Sequence, residues 1–588
     1  MDKFKDSKVY RACCIYIFPV ILILYSLRHI NIGLDLADTG YDYANFRYGL
    51  EHMDSKWFFS TYLTNVVGHF LTCLPGGHTL LFMNLYTGLF VSLLAFISYR
   101  FLTKRMEIPA GLVFIGELTA ISLCWSPTAV LYNYMTYMLL LVGVLLVYEG
   151  LVQEKETYLI MAGAVLGTNI FVRFSNLPEA GLIVAVWAYG IICRKNIKKV
   201  MQETGYCILG YMGAVIVWLG YISLRYGFSN YVEGIKGLFA MTETATDYKA
   251  SSMLYGMFND YIDSSYWLSR ILVFLVPGMI VCVVLPKGWK WVKRFICVFF
   301  STAAMFWLYK KGFCKFEFYT DGDIYRSGVL FLILTIFICL LRILTPKVQK
   351  NEKLLAGMII LVSLISSIGS NNRLLTSINN LFLAVPYVLW STYKFCRKAD
   401  VRLFAAKTMS VMFLALFLVQ SAGFGMKFVF AESGRDVIMD AKVEHCSVLK
   451  GISMSREKAE RMEEIAAYVS DRQLTGRKVI LYGDIPALSF YLEMPSAFMA
   501  WIDLDSYNMD SLETAIDKLR DEISEGGELP IVILDHSLIE DIEANFAKDT
   551  KLALIFNYME EYEYKETFSN EKFVLYEAKN VNISGSSD

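Results

Sequence analysis

The sequence predicts a polytopic α-helical membrane protein, with about 13 transmembrane helices, an inside N-terminus and an outside C-terminus, closed by a small extracytoplasmic α/β domain. Three observations predict this. The 588 residues are 55% hydrophobic and only 19% charged, against about 45–50% and about 25% for a soluble chain. Apolar runs long enough to cross about 30 Å of hydrocarbon recur up to residue 430. Beyond that point the pattern turns into short alternating strands and helices.

Thirteen apolar runs carry the first part: 10–27, 79–102, 108–125, 130–151, 158–174, 178–193, 206–224, 268–285, 292–309, 329–344, 354–370, 378–395 and 409–430. In lipid each must be a helix, because a lone strand leaves its backbone unpaired. The first run is read as a retained helix: no small-residue cleavage site follows it, and Cys13 and Cys14 lie at its start, ahead of its most apolar part, on the wrong side for a lipoprotein signal. The basic residues orient the array. Lys3, Lys5, Lys8 and Arg11 precede the first run, and every second short loop repeats the bias: Lys104/Arg105, Lys155, Arg194 to Lys199, Lys287/Lys290, Lys347 to Lys353, and Arg397 to Arg402. The alternate loops are sparse in positive charge except at Lys310/Lys311. The run "WFFSTYLTNVVGHFLTCL" (57–74) is apolar but dotted with Ser, Thr, Asn and His. Counting it as a span would invert every later loop, so it is read as amphipathic and lying at the membrane surface.

Two domains follow: a transmembrane domain over 1–430, with its first outer loop at 28–78, and a soluble extracytoplasmic domain over 431–588. The long loops 225–267, 310–326 and 369–380 share the outer face. In the tail, "SREKAERMEEIAAYVSDRQL" reads as an amphipathic helix, "KVILYG" and "PIVILD" as buried strands, and "IPALSFYLE" and "DSLETAIDKLRDEI" as helices. "YKETFSNEKFVLYEA" reads as a hairpin turning at Ser569–Asn570. With neither a Gly-rich phosphate loop nor a nucleophile elbow, the tail is expected to be a lid or partner platform. A net charge of −1 offers no basic stripe for nucleic acid. Most of the twelve cysteines lie inside apolar runs and none has zinc spacing.

The chemistry concentrates in the first loop, "NIGLDLADTGYDYANFRYGLEHMDSK", which holds Asp35, Asp38, Asp42, Glu51 and Asp54. If the backbone is helical, Asp35 and Asp38 share a face, and two converging carboxylates raise the pKa of one, which fits a general base. Gly33 and Gly40 bracket them, while Tyr41, Tyr43, Phe46, Tyr48 and Trp57 supply an apolar wall where a solvated acidic loop would need none. Glu117, within the third run, is expected to be a structural hydrogen-bonding acid. His52, His69 and His78 match no compact zinc motif.

A multi-spanning chain with "LDLADTGYDYANFRYG" soon after its first helix, followed by surface helices, resembles the GT-C glycosyltransferases, in the branch of protein O-mannosyltransferases and aminoarabinose transferases. The resemblance covers the whole length in plan and short stretches in residues; "SPTAVLYNY" in the second outer loop lacks the acid many relatives place there. It implies a multi-pass plasma-membrane enzyme that moves a sugar from a polyprenyl-phosphate carrier to an acceptor hydroxyl on a glycan, lipid or protein, with inversion. Asp38 or Asp35 would be the base. The donor's phosphate needs cations at the membrane surface, for which Arg173 ("NIFVRFSNLPEA") and Arg373 ("GSNNRL") are the candidates, ahead of Lys310, Lys311, Lys315 and Arg326. No metal is required, although some relatives hold a divalent cation, here between Asp35 and Asp38. The competing readings are an envelope polysaccharide polymerase or ligase, and a transporter, which would show inverted repeats and broken helices with mid-membrane charges.

Overall fold

The computed structural model describes residues 8–49, 53–244, 249–286, 288–398, 403–432, 434, 437–539 and 550–579. Lys3, Lys5, Glu51, His52, Lys287 and Arg402 lie outside the described residues. All thirteen apolar runs are helical. In chain order the helices are α1 (Lys8–Ser26), α2 (Asp38–Tyr48), α3 (Ser55–Ser60), α4 (Tyr62–Thr72), α5 (Leu80–Lys104), α6 (Ala110–Ser122), α7 (Leu131–Gln153), α8 (Glu156–Val172), α9 (Phe174–Cys193), α10 (Ile197–Tyr226), α11 (Phe228–Thr244), α12 (Ala250–Val284) and α13 (Lys290–Lys310). Then come α14 (Gly322–Leu344), α15 (Lys350–Ile365), the short α16 (Leu374–Ile378), α17 (Ala384–Lys398) and α18 (Phe404–Lys427).

Among the described residues nine helices are long and apolar enough to cross a membrane. The other four runs form shorter helices, α6, α8, α15 and α17, of 13, 17, 16 and 15 residues. Two of them stop early for a visible reason: α6 gives way to an irregular stretch through Trp125 and Thr128, and α15 to the one that holds Arg373. Both stretches are rich in Ser, Thr and Asn, whose side chains compete for backbone hydrogen bonds. Inside α1 a π turn over Cys13–Ile17 precedes Pro19. Proline cannot donate to the carbonyl four residues back, and the wider turn accommodates its ring.

Residues 57–74 fold mainly as the short helices α3 and α4. Asp54 caps α3 by accepting from Lys56 N at 2.9 Å, and Phe58, Phe59 and Tyr62 bury themselves against Ile170, Phe171 and Ile222 near the ends of α8 and α10. The loops sort to two ends as the basic bias implies. At one end Thr64 bonds Val172 O at 2.9 Å, Arg173 reaches Gly369 O at 3.5 Å, and Gln420 reaches Lys315 O at 3.0 Å. At the other, Lys195 pairs with Glu203 at 2.6 Å, Lys394 with Glu352 at 3.1 Å, and Arg342 also with Glu352.

The tail sits on the first of these ends. Its helices are α19 (Arg456–Asp471), α20 (Leu488–Tyr491), α21 (Met509–Ser524) and α22 (Thr550–Glu561), and its strands β1 (Val479–Tyr482), β2 (Ile531–Asp535), β3 (Tyr564–Ser569) and β4 (Phe573–Ala578). The sheet order is β1-β2-β4-β3, with β1 parallel to β2 and the β3–β4 hairpin antiparallel beside it. Asn570 builds the hairpin turn, its Oδ1 accepting from Lys572 N at 3.0 Å and Phe573 N at 2.8 Å. The helix expected over "IPALSFYLE" shrinks to the single turn of α20, and α22 joins the fold without having been foreseen.

Candidate functional site

Helix α2 starts at Asp38, so Asp35 stands before the helix rather than one turn along it. Its carboxylate anchors that start: Oδ1 accepts from Ala37 N at 2.9 Å, and Oδ2 from Thr39 N at 2.8 Å and Thr39 Oγ1 at 2.9 Å. Both oxygens are used, and the side chain is buried. An acid at a helix N-terminus also meets the positive end of the helix dipole.

Asp38 and Asp42 are one turn apart on α2 and share a face. Among the described residues neither has a hydrogen-bond or ion-pair partner. Burial, then the neighbouring charges of Asp35 and Asp484, push Asp38 up to about 7. Asp42 is raised well above the carboxylate range by burial, with Asp38 and Asp35 adding to it. Asp484 follows the buried Gly483 in the loop after β1; its carboxyl is raised by partial burial and by Asp35 and Asp535, with Lys572 opposing. Asp535 is already paired to Lys572 at 2.6 Å.

The tail closes over this face. Ala487 N donates to Leu36 O at 2.9 Å, Tyr491 OH to Asp35 O at 2.6 Å, and Lys458 Nζ to Leu34 O at 2.7 Å. Gly40 makes the approach possible: a Cβ there would sit 2.3 Å from Ala487 Cβ and 2.7 Å from its Cα. The aromatic wall serves this contact. Tyr41 meets Trp501 edge-on at 5.4 Å, Tyr43 meets Phe490 at 5.6 Å, and Arg47 pairs with Glu493 at 2.7 Å. One apolar core, with Tyr43, Phe46, Leu481 and Phe490 as members, runs through both parts of the chain. The wall that seemed to need a substrate therefore has the tail domain as its partner.

A cavity of about 150 Å³ opens beside Asp35, walled by Arg28, His29, Asn84, Trp125, Thr128 and Thr39 among others. Asp38 is not in its wall; Asp35 and Thr39 separate the two. The Arg28 guanidinium lies 4.6 Å over the Tyr25 ring, donates to Tyr25 O at 3.2 Å, and also bonds Gly425 O. No carboxylate lies within ion-pair distance of Arg28 among the described residues. Burial lowers its pKa, yet an arginine stays charged. His29 is pulled down to about 4 by burial and by Arg28, and is therefore neutral. Arg28 thus lines the cavity together with the Asp35 carboxylate, with no ion pair between them. Its sequence signal is the one Arg173 carries, an arginine at the end of an apolar run.

Arg173 and Arg373 lie away from this cavity. Arg173 lies 5.0 Å over the Tyr132 ring and reaches Gly369 O, at the start of the loop that holds Arg373. Arg373, at φ +48°, pairs with Asp260 at 3.4 Å. Neither lines the cavity of Arg28 and Asp35. Glu117 is buried in α6 beside Ser98. His69 Nδ1 contacts Phe46 O at 2.9 Å, and His78 is exposed. Among the described residues no group of three His, Cys, Asp or Glu side chains gathers to hold a metal.

No family model matches the sequence, and no curated protein matches it. Among solved structures the chain is similar to ArnT from Cupriavidus metallidurans, in its crystal structure bound to undecaprenyl phosphate. The two are 10% identical, the alignment covers 97% of this chain and 98% of that one, and the TM-score is 0.39. The likeness is one of general plan, so the functional reading rests on the residues above.

Proposed function

We propose that the chain is a membrane glycosyltransferase that moves a sugar from a polyprenyl-phosphate carrier to an acceptor hydroxyl, with the tail-domain end of the helix array facing outside. The observation that carries the reading is Asp38: a half-buried carboxyl poised near neutrality, without a partner among the described residues, and three positions along the chain from Asp35, which shares a cavity with Arg28. An acid at about 7 combines a substantial basic fraction at neutral pH with useful proton affinity.

In the proposed reaction Asp38 accepts the acceptor's hydroxyl proton as that oxygen attacks the anomeric carbon. The bond from that carbon to the phosphate oxygen breaks on the opposite face, so the configuration inverts. Arg28 meets the charge gathering on the leaving phosphate, in a setting shielded from water where such a contact is strong. A volume of 150 Å³ can hold a benzene ring in a protein interior; it suits a phosphate group, with the sugar reaching toward α2. Asp35 holds the start of α2, and through it Asp38, in place. Arg173 and Arg373 contact the donor farther out.

One observation favours the transporter reading instead: α9 begins with a ten-residue 3-10 stretch, Phe174–Ile183, and Glu179 is buried within it beside Asn169. Purified protein incubated with radiolabelled polyprenyl-phosphate sugars and membrane extract decides between them. Label moved into a product that Asp38→Asn protein fails to make supports the transferase. Label that stays on the carrier contradicts it.

A further inference from the structure

At the end of the array remote from the tail, Cys282 in the last turn of α12 and Cys297 in the second turn of α13 bring their Sγ atoms to 3.2 Å. Both thiols are 1% exposed. A disulfide needs an S–S distance of about 2.05 Å, so about 1 Å of approach separates the pair from a covalent bond. Beside them lies Lys293, four residues before Cys297 and therefore on the same face of α13. It is 4% exposed and donates from Nζ to Cys282 O at 2.6 Å. No carboxylate pairs with it among the described residues. A buried ammonium is costly without an anion, and the nearest group able to become one is a thiol.

The surroundings give a cross-link something to hold. Only 17% of the apolar window of Ser251–Val284 and 28% of that of Lys290–Lys310 is buried, against 61% for Leu131–Gln153. The two helices are thus held to the rest by few side chains, and at the thiols they meet around a small cluster completed by Ala405.

We propose that Cys282 and Cys297 form a reversible oxidation site, a dithiol that closes into a disulfide stapling α12 to α13, with a hydroperoxide as the oxidant. The Cys297 sulfur gives up its proton, with the Lys293 charge favouring the thiolate as it forms, and attacks one oxygen of hydrogen peroxide. The O–O bond breaks, leaving a sulfenic acid on Cys297 and, with one proton taken up, a water molecule. The Cys282 sulfur then attacks the sulfenic sulfur; the S–O bond breaks and hydroxide leaves with the Cys282 proton as a second water. Two thiols and one peroxide give one disulfide and two waters, and a thiol reductant reverses the bond.

The test uses the full chain in detergent. Lys290, Lys293 and Arg294 lie between the two cysteines, so trypsin separates them unless they are linked. After peroxide treatment and non-reducing digestion, mass spectrometry should find one peptide joining Cys282 to Cys297, two hydrogens lighter than its parts and split by dithiothreitol. Exposed Cys73 serves as the control for oxidant reaching the protein. Oxidised Cys73 with Cys282 and Cys297 both still alkylatable after denaturation would overturn the proposal. Lys293→Met should slow formation of the linked peptide at least tenfold, and Cys282→Ser should instead drive Cys297 on to the sulfinic acid. An unchanged rate in Lys293→Met would overturn the assignment of Cys297 as the sulfur that reacts first.

Discussion

Two regions of the tail-domain end carry charge, and they treat it in opposite ways. Around the loop that begins at Gly369, side chains answer the charges: Arg373 pairs with Asp260, and Glu179 accepts from Asn169. At the junction of the first loop and the tail, Asp38 and Asp42 have no hydrogen-bond or ion-pair partner among the described residues, and Arg28 shares a cavity with Asp35 without an ion pair between them. Answered charge holds a structure together, whereas unanswered charge kept out of water is destabilising and persists where chemistry needs it. On the proposed reading Arg28 meets the donor phosphate ahead of Arg173 and Arg373, and Asp38 rather than Asp35 is the base.

The sharpest way to break it is at Asp38. Asp38→Asn should insert normally and lose roughly 10²–10⁴-fold in kcat at saturating donor, because the amide keeps the shape and loses the basic site. In wild type the rate should fall as pH drops through about 7, where the base form is lost. Stability should run the other way. A carboxyl raised in the folded state favours folding below its ordinary unfolded value and loses that contribution as pH climbs through about 7. Thermal melts of Asp38→Asn should therefore match wild type at pH 4 and exceed it at pH 8; a melt that falls at pH 8 would mean the carboxylate is paired after all.

Next in size is the docking contact. Gly40→Ala puts a methyl group into the backbone of Ala487, and overpacking of this kind costs about 1–3 kcal/mol. Limited proteolysis should then release the tail sooner than in wild type. Equal rates would mean that the tail is not held through α2. The smallest effect expected is at Asp35. Asp35→Asn keeps one of its two acceptor oxygens, so the start of α2 loosens by about 1 kcal/mol, and turnover should fall less than tenfold. A loss as large as that of Asp38→Asn would restore Asp35 as a second catalytic acid.

Much of this was legible in the sequence because it rests on local patterns. Apolar length and basic bias were enough for thirteen helical runs and their sorting into two ends. β-branched runs were enough to find β1 and β2. What stayed hidden was tertiary. Nothing near Gly40 announces that Ala487 will press on it from 447 positions away, so Tyr41 and Tyr43 read as the wall of a site rather than as the seat of the tail. Asp35 looked like the twin of Asp38 because the first residue of α2 could not be fixed to one position by pattern alone. Arg28 was obscured by its place at the edge of an apolar run, where an arginine passes for an anchor.

The central claim is that unanswered charge marks the working site, and one side-by-side measurement tests it most directly. Arg28→Gln and Arg373→Gln would be compared with wild type for kcat/KM in transfer of label from a polyprenyl-phosphate sugar. Removal of a charge-assisted contact worth roughly 1.5–3 kcal/mol predicts a loss of roughly 10–150-fold for Arg28→Gln, with recovery in part by Arg28→Lys and a change of only a few fold for Arg373→Gln. A large loss at Arg373 with wild-type transfer at Arg28 would contradict the account.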